Sequence, residues 1–403
     1  RIPRWATLAD GDNELLVDFE NALCLDTFLD LVEERKQAGL HELYPDLDAQ
    51  CVTGPEGRFL HEIVVPFVRP TAPPAAAEAA RPARSGSVSD GAVPPIERSF
   101  PPGSEWLYLK VYTGSSTADG ILREAVGPAV RAVLEAGEAD SWFFIRYGDP
   151  EWHLRLRLHG DPETLLLRAL PRIKQAVGSL LGEGRAWKIQ LDTYEREIER
   201  YGGPAGMPVC ERLFGADSDA CLAIVETLEG DEGADARWRL ALRGTDLILS
   251  DLGLDDPKKL ELMGSMRENF AREFGGQKSL EVSIDQKYRT EKRAIGNLLA
   301  VEPPAEDPLA PGYAILAERS RRSAPHVAEL ARLEGEGFLN RADLAGSFVH
   351  MHVNRMIRSA ARAHEAVLYG LLHREYQARA ARARKVTTIE NQESGIEKRE
   401  TLP

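Results

Sequence analysis

The chain has 403 residues, 43% hydrophobic and 28% charged, enough for more than one cored unit of a globular protein. Its formal net charge of −14 excludes a general affinity for polyphosphate or anionic membrane, since like charge repels both, and leaves room only for a local basic site. Cys24, Cys51, Cys210 and Cys221 lack CxxC or metal-like spacing, which argues for reduced thiols and against a disulfide framework or structural metal.

No apolar run approaches the ~20 residues that span a bilayer, so no membrane insertion and a cytoplasmic location are expected. The opening at Arg1 without methionine points to a start inside a longer polypeptide. In the first segment LLVDF is strand-like, Leu25 to Lys36 has helical periodicity, and GRFLHEIVVPFVR is an apolar, β-branched run. From Pro70 the composition shifts to Pro, Ala, Ser and Gly, which predicts a linker over 70–104 between a unit at 1–69 and one at 105–385. EWLYLKVYTG and SWFFIRYGDPEWHLRLRLHG read as strands, the second pair joined at GDPE as a hairpin, with a helix from Gly120 to Ala136 between them. After Gly203 the pattern is helical to about Arg384, and residues 386–403 are expected to be a frayed tail. The fold class is α+β, strand-rich first and helical later.

Three stretches carry candidate chemistry. In WHLRLRLHG the period-two alternation aims Leu154, Leu156 and Leu158 one way and His153, Arg155 and Arg157 the other, with Arg146 of FFIRY as a possible extension. Two guanidiniums ~7 Å apart on one face suit a carboxylate, although a solvated strand face is the plainer reading. LDTYEREIERYGGP reads as a helix sharing Arg196 and Arg200 on one face, ended by Gly202, Gly203 and Pro204, with Tyr201 beside the turn. Its glutamates offer ordinary helix ion pairs as the alternative. In the helix SFVHMHVNR, His350 shares a face with Asn354, and His352 with Arg355 and Met356, so HxH is a poor metal clamp; a core histidine is the plainer reading.

Taken in order, WLYLKVY, FFIRYGDPEWHLRLRL, TYEREIERYGG and SFVHMHVNR resemble the successive signatures of the glutamate-elimination domain of class I lanthipeptide and thiopeptide-type dehydratases. The opening RIPRWATLADGDNELLVDFENALCLDTFLDLVEER and GRFLHEIVVPFVR resemble the end of that family's glutamylation domain. The resemblance implies a lyase that removes glutamate from glutamylated Ser or Thr of a precursor peptide, leaving dehydroalanine or dehydrobutyrine. It implies no cofactor, because glutamyl-tRNA serves only the upstream domain. Its partners would be the precursor peptide, a glutamylation domain on the same or a separate chain and a lanthipeptide cyclase, and a homo-oligomer is expected. By resemblance the catalytic residues fall on Arg155, Arg157, Arg196 and His350, with Arg146, His153, Arg200, Tyr201, Asn354 and Arg355 as substrate contacts. Either strand arginine could be the indispensable one, and His350 could be base or acid. Two rivals are a pyridine synthase performing cycloaddition between dehydroalanines and a silent peptide-binding subunit.

Overall fold

A computed structural model describes residues 3–10, 13–33, 35, 37–43, 49–54, 57–59, 97–149, 151–228, 230–273, 277–302, 304 and 306–400. The chain divides into two units, Arg1–Gly91 and Ala92–Pro403. In the first, β1 (Trp5–Asp10) pairs antiparallel with β2 (Asn13–Asp18), α1 (Ala22–Val32) follows, and β3 (Gly39–Glu42) pairs with the other edge of β1. β4 (Val52–Gly54) and β5 (Gly57–Phe59) form a short hairpin. Asn21 caps α1 by accepting from the Leu23 and Cys24 amides. The rest of the expected GRFLHEIVVPFVR strand and most of the expected linker lie outside the described residues.

The second unit starts before Glu105. β6 (Ser99–Phe100) pairs with β11 (Tyr194–Glu195), and Phe100 is fully buried, so the last residues of the expected linker belong to a packed body. Its main sheet is antiparallel in the order β10-β7-β9-β8, from β7 (Trp106–Tyr112), β8 (Ser141–Tyr147), β9 (His153–His159) and β10 (Lys188–Leu191). β8 and β9 form the hairpin that GDPE signals. The expected helix after β7 is α2 (Ala118–Ile121), a wide π turn at Leu122–Val126, and α3 (Gly127–Glu135). α4 (Pro162–Thr164), a second π turn at Leu165–Ala169 and α5 (Leu170–Gly182) repeat the pattern after β9. Pro128 and Pro171 follow the two wide turns, and neither has the N–H that an α-helix aims at the carbonyl four residues back. Leu154, Leu156 and Leu158 are fully buried in one cluster with Ile121, Leu122, Val126, Leu165, Ile173 and Val177 from these helices.

The helical part comprises α6 (Gly203–Thr227), α7 (Gly230–Asp251), α8 (Asp256–Glu273), α9 (Gln277–Leu298), α10 (Ala310–Gly335), α11 (Arg341–Met356) and α12 (Ala361–Glu400). α12 runs through most of the tail expected to be frayed. β8 is an edge strand, and its outward backbone groups are satisfied by side chains from α6 and α11. The Phe144 amide donates to Ser218 Oγ at 3.2 Å, and its carbonyl accepts from Arg355 Nε at 2.8 Å. The Arg146 amide donates to Asn354 Oδ1 at 2.9 Å, and its carbonyl accepts from Asn354 Nδ2 at 2.8 Å. The helices thereby cover an edge that would otherwise expose unpaired backbone.

Gly244 allows a close approach elsewhere. A Cβ there would lie 2.1 Å from His352 Nε2, so only glycine lets α7 pass His352.

Candidate active site

β9 puts its leucines into the core and its polar side chains on the other face. Cross-strand register extends that face: Tyr108 and Phe143 flank Arg157, Lys110 and Ile145 flank Arg155, and Tyr112 and Tyr147 flank His153. The Arg157 guanidinium carbon lies 4.6 Å from the Tyr108 ring centroid, 4.5 Å from Tyr194 and 5.2 Å from Phe143. Arg155 lies 3.4 Å over the Tyr147 ring, and its Nε donates to His153 Nε2 at 3.0 Å. Aromatic faces hold these cations without neutralising them. Among the described residues neither arginine has a carboxylate ion-pair partner. Arg157 Nε also lacks a hydrogen-bond partner, and burial lowers the Arg157 pKa although Tyr194 and Tyr108 oppose it. A desolvated guanidinium without counter-charge is costly, and an incoming carboxylate relieves that cost.

His153 differs from its expected role as a substrate contact. It is fully buried, its Nδ1 meets the Glu151 carbonyl at 2.7 Å, and its Nε2 accepts from Arg155. The tautomer with hydrogen on Nδ1 satisfies both bonds. Burial lowers its pKa, the Glu151 bond opposes this, and Arg155 lowers it further. His153 therefore orients Arg155 from behind. Arg146 does not join the cluster: it is paired with Leu154 and so projects to the leucine face, where it donates to Asp119 Oδ1 at 2.7 Å and the Arg355 carbonyl at 2.9 Å.

TYEREIERYGGP is not a helix. Arg196 follows the two-residue β11, Arg200 lies in a single 3-10 turn at Ile198–Tyr201, and the two share no helix face. Gly202 and Gly203, with φ of 81° and 71°, end that turn and start α6. Glu211 on α6 takes Arg196 Nε and Nη2, both at 2.7 Å, and the Tyr194 hydroxyl at 2.8 Å. Burial alone would lower the Arg196 pKa, but Glu211 outweighs it and raises it. Arg196 is thus neutralised and reaches Arg157 only through Tyr194. Arg200 donates to Ser347 Oγ at 3.0 Å and Glu197 at 2.9 Å. Tyr201 is a core residue against Phe214 and Phe348, its pKa pushed by burial up to about 12.

The two histidines of α11 separate as their spacing requires. His350 is 30% exposed, and its Nδ1 lies 2.5 Å from Glu365 Oε1 on α12. The Glu365 side chain is buried and also accepts from the Tyr369 hydroxyl at 3.0 Å. A carboxylate that only accepts fixes hydrogen on Nδ1 and leaves the lone pair on Nε2. Asn354, one turn along on the same face, is the residue bound to the β8 edge, so it anchors the helix rather than contacting substrate. His352 is fully buried on Asp217 at 2.8 Å. Arg355, also expected as a substrate contact, is buried on the same carboxylate at 2.9 Å.

Asp217, Cys221 and His352 bring ligand-type atoms within 4.8 Å of one another. The charge around them disfavours a cation: Arg355 at 2.9 Å and Arg319 at 3.4 Å already supply the counter-charge to Asp217. Burial alone would raise the Asp217 pKa, but His352, Arg355 and Arg319 hold it well below the usual carboxylate range. No disulfide joins the described cysteines.

Sequence reasoning missed Glu365 and the ring of Tyr108, Tyr147 and Tyr194. Glu365 follows His350 across an inter-helix bend, where no spacing rule applies. The tyrosine signal was present in the alternation of WLYLKVY, which places Tyr108 beside Arg157 once β7 and β9 pair.

The four-stranded antiparallel sheet with helices packed against it has counterparts among known proteins. The chain belongs to the family described as "Lantibiotic biosynthesis dehydratase C-term", which matches residues 106–376. It is similar to the subtilin biosynthesis protein SpaB of Bacillus subtilis, 25% identical over 366 residues, covering 88% of this chain and 33% of that protein. It is also similar to the nisin biosynthesis protein NisB of Lactococcus lactis subsp. lactis, 27% identical over 224 residues, covering 54% of this chain and 21% of that one. The chain thus spans about a third or less of each relative. Among solved structures, the fold is shared with the tRNA dependent lantibiotic dehydratase MibB from Microbispora sp. 107891, at TM-score 0.57 and 23% identity over 95% of this chain and 37% of that chain. It is shared more distantly with TbtD, a pyridine synthase from thiomuracin biosynthesis, at TM-score 0.52 and 16% identity over 68% of this chain and all of that one. Among the described residues no helix is long and apolar enough to cross a membrane.

Proposed function

We propose that this chain carries the glutamate-elimination step of lanthipeptide-type dehydration. The substrate is a peptide whose Ser or Thr hydroxyl is esterified by glutamate. A base removes the α-proton, the Cα–Cβ double bond forms, the Cβ–O bond breaks, and glutamate leaves as a carboxylate, giving dehydroalanine or dehydrobutyrine. The observation that carries this reading is the pair Arg155 and Arg157, two oriented guanidiniums without a carboxylate partner among the described residues. They suit a leaving group that bears a second carboxylate. His350, with its lone pair on Nε2, is the base and Glu365 its positioning residue. Arg196 supports the site through Glu211 and Tyr194, and Arg200 sits at its rim beside Ser347.

Residues 1–69 are proposed to end a glutamylation domain, and the ester is proposed to come from that domain on the same or another chain. The kinship with a structure described as a tRNA dependent dehydratase supports this. Binding of tRNA by this chain itself would run against its net charge.

The arginines give the test. With a glutamylated peptide, Arg155→Lys and Arg157→Lys should slow elimination yet retain some activity, since charge survives and the fork does not; alanine should be worse than lysine. Arg155→Ala should cost about 1 kcal/mol, because it removes one hydrogen bond to neutral His153 and a contact with the ring face of exposed Tyr147. Arg196→Ala should instead cost about 3–5 kcal/mol of stability by stranding buried Glu211. Full elimination activity in both Arg155→Ala and Arg157→Ala would contradict the assignment.

A further inference from the structure

The leucine face of the main sheet leads to a second basic site. Arg155 pairs with Ile145, whereas Arg146 pairs with Leu154, so Arg146 and Arg155 project from opposite faces. Asp119 at the start of α2 holds Arg146 on the leucine side, and its other oxygen holds Arg237 of α7 at 2.6 Å. Beyond Asp119 opens a cavity of about 1150 Å³.

Among the described residues the lining is net basic, opposite in sign to the whole chain. Arg123, Arg185, Arg237, Lys287 and Arg358 line the cavity, with Asp119 the lining carboxylate among the described residues. Arg123 and Arg185 share Glu124, and Arg237 is also anchored to the Met356 carbonyl at 2.7 Å. Lys287 lies 4.5 Å over the Trp238 ring, and among the described residues neither Lys287 nor Arg358 has an ion-pair partner. The floor is apolar, with Val225, Leu228 and Leu368.

The bend that follows Arg358 is strained. Two residues on, Ala360 has φ of 51°, the left-handed region that alanine rarely enters, between α11 and α12. Held cations above an apolar floor, beside a strained bend, suit a ligand with both carboxylates and apolar groups.

We propose that this cavity binds an acidic segment of the peptide substrate, separate from the residue being dehydrated. The proposal rests on the reading of this chain as a peptide-modifying enzyme and adds where a remote part of that peptide is held. Carboxylates interspersed with apolar side chains fit better than nucleic-acid phosphates, because the cations line a concavity with an apolar floor. The volume exceeds the upper end of ordinary small-ligand pockets, roughly 1,000 Å³, as a short peptide segment requires. Holding a remote segment lowers KM while leaving the chemical step alone.

Fluorescence anisotropy with the full chain tests this, using a fluorescein-labelled peptide of six glutamates interspersed with leucines, the same peptide with glutamines, and a labelled single-stranded RNA. The glutamate peptide should bind and the glutamine peptide should not. The double substitution Lys287→Glu and Arg358→Glu should weaken binding at least tenfold, and the corresponding double alanine variant, which introduces no repulsion, by a smaller factor. Arg155→Ala, on the opposite face, should leave the anisotropy-measured binding of the glutamate peptide unaltered. A glutamylated peptide extended by the acidic segment should show a raised KM and unchanged kcat in the double variants, while the unextended peptide is unaffected. Equal binding of both peptides, binding insensitive to Lys287 and Arg358, loss of binding in Arg155→Ala, or tighter binding of RNA that depends on the two cations would each overturn the proposal. The binding arm reads out whether or not elimination occurs, so failure of the elimination reading is seen separately.

Discussion

Replacing His350 with alanine should slow loss of glutamate from a glutamylated peptide by roughly 100-fold or more, the usual scale of a general acid–base group. The glutamyl adduct should accumulate. Glu365→Gln should lower kcat by a smaller factor with KM unchanged, because the amide keeps a partner for Nδ1 but no longer stabilises the imidazolium that forms when Nε2 takes the proton. Both effects are measured by single-turnover mass spectrometry on a purified glutamylated peptide. An unaltered rate in His350→Ala would remove the base from the mechanism. His352 is no inert control for this experiment, although its place on another helix face suggests one. It is fully buried on Asp217 with its ring against Gly244, so its replacement should act through stability.

The second large effect falls on that buried node. Asp217→Asn should destabilise the second unit by roughly 3–5 kcal/mol, because Arg355 is then left buried without its counter-charge and Arg319 keeps only the longer pair to Asp251 at 3.6 Å. The pH dependence follows from the depressed Asp217 pKa. A carboxyl held below its unfolded value, about 3.9, contributes stability in full above that pH and loses it as pH falls further. The wild-type urea midpoint should therefore fall steeply below about pH 4, and the Asn variant should lack this component. A midpoint that matches wild type at neutral pH would show that the node carries no net stabilisation.

Local periodicity made the sheet legible. The leucine–arginine alternation of β9, the GDPE hairpin and the helical character after Gly203 all follow from side-chain period and turn chemistry, and each is present in the structure. The site was legible only in part. Arg155 and Arg157 were visible because alternation decides which way a strand residue points. The ERExER run misled because i,i+4 spacing is compatible with a helix, whereas two long-range contacts, β6 pairing with β11 and Glu211 gripping Arg196, hold this stretch extended. Arg146, Asn354 and Arg355 have donor-rich side chains of the kind that bind substrates. Their actual work, tying the edge of β8 to α11 and meeting buried carboxylates, depends on tertiary neighbours that no spacing encodes. Glu365 was invisible for the same reason.

The most direct test of the central claim is the mass of a chemically glutamylated Ser- or Thr-containing peptide after incubation with this chain alone. The account predicts loss of glutamic acid, leaving a dehydro residue that adds a thiol, with no mass change when unmodified peptide is supplied instead. Glutamylated peptide returned unchanged, or hydrolysed back to the free hydroxyl without dehydration, would contradict it.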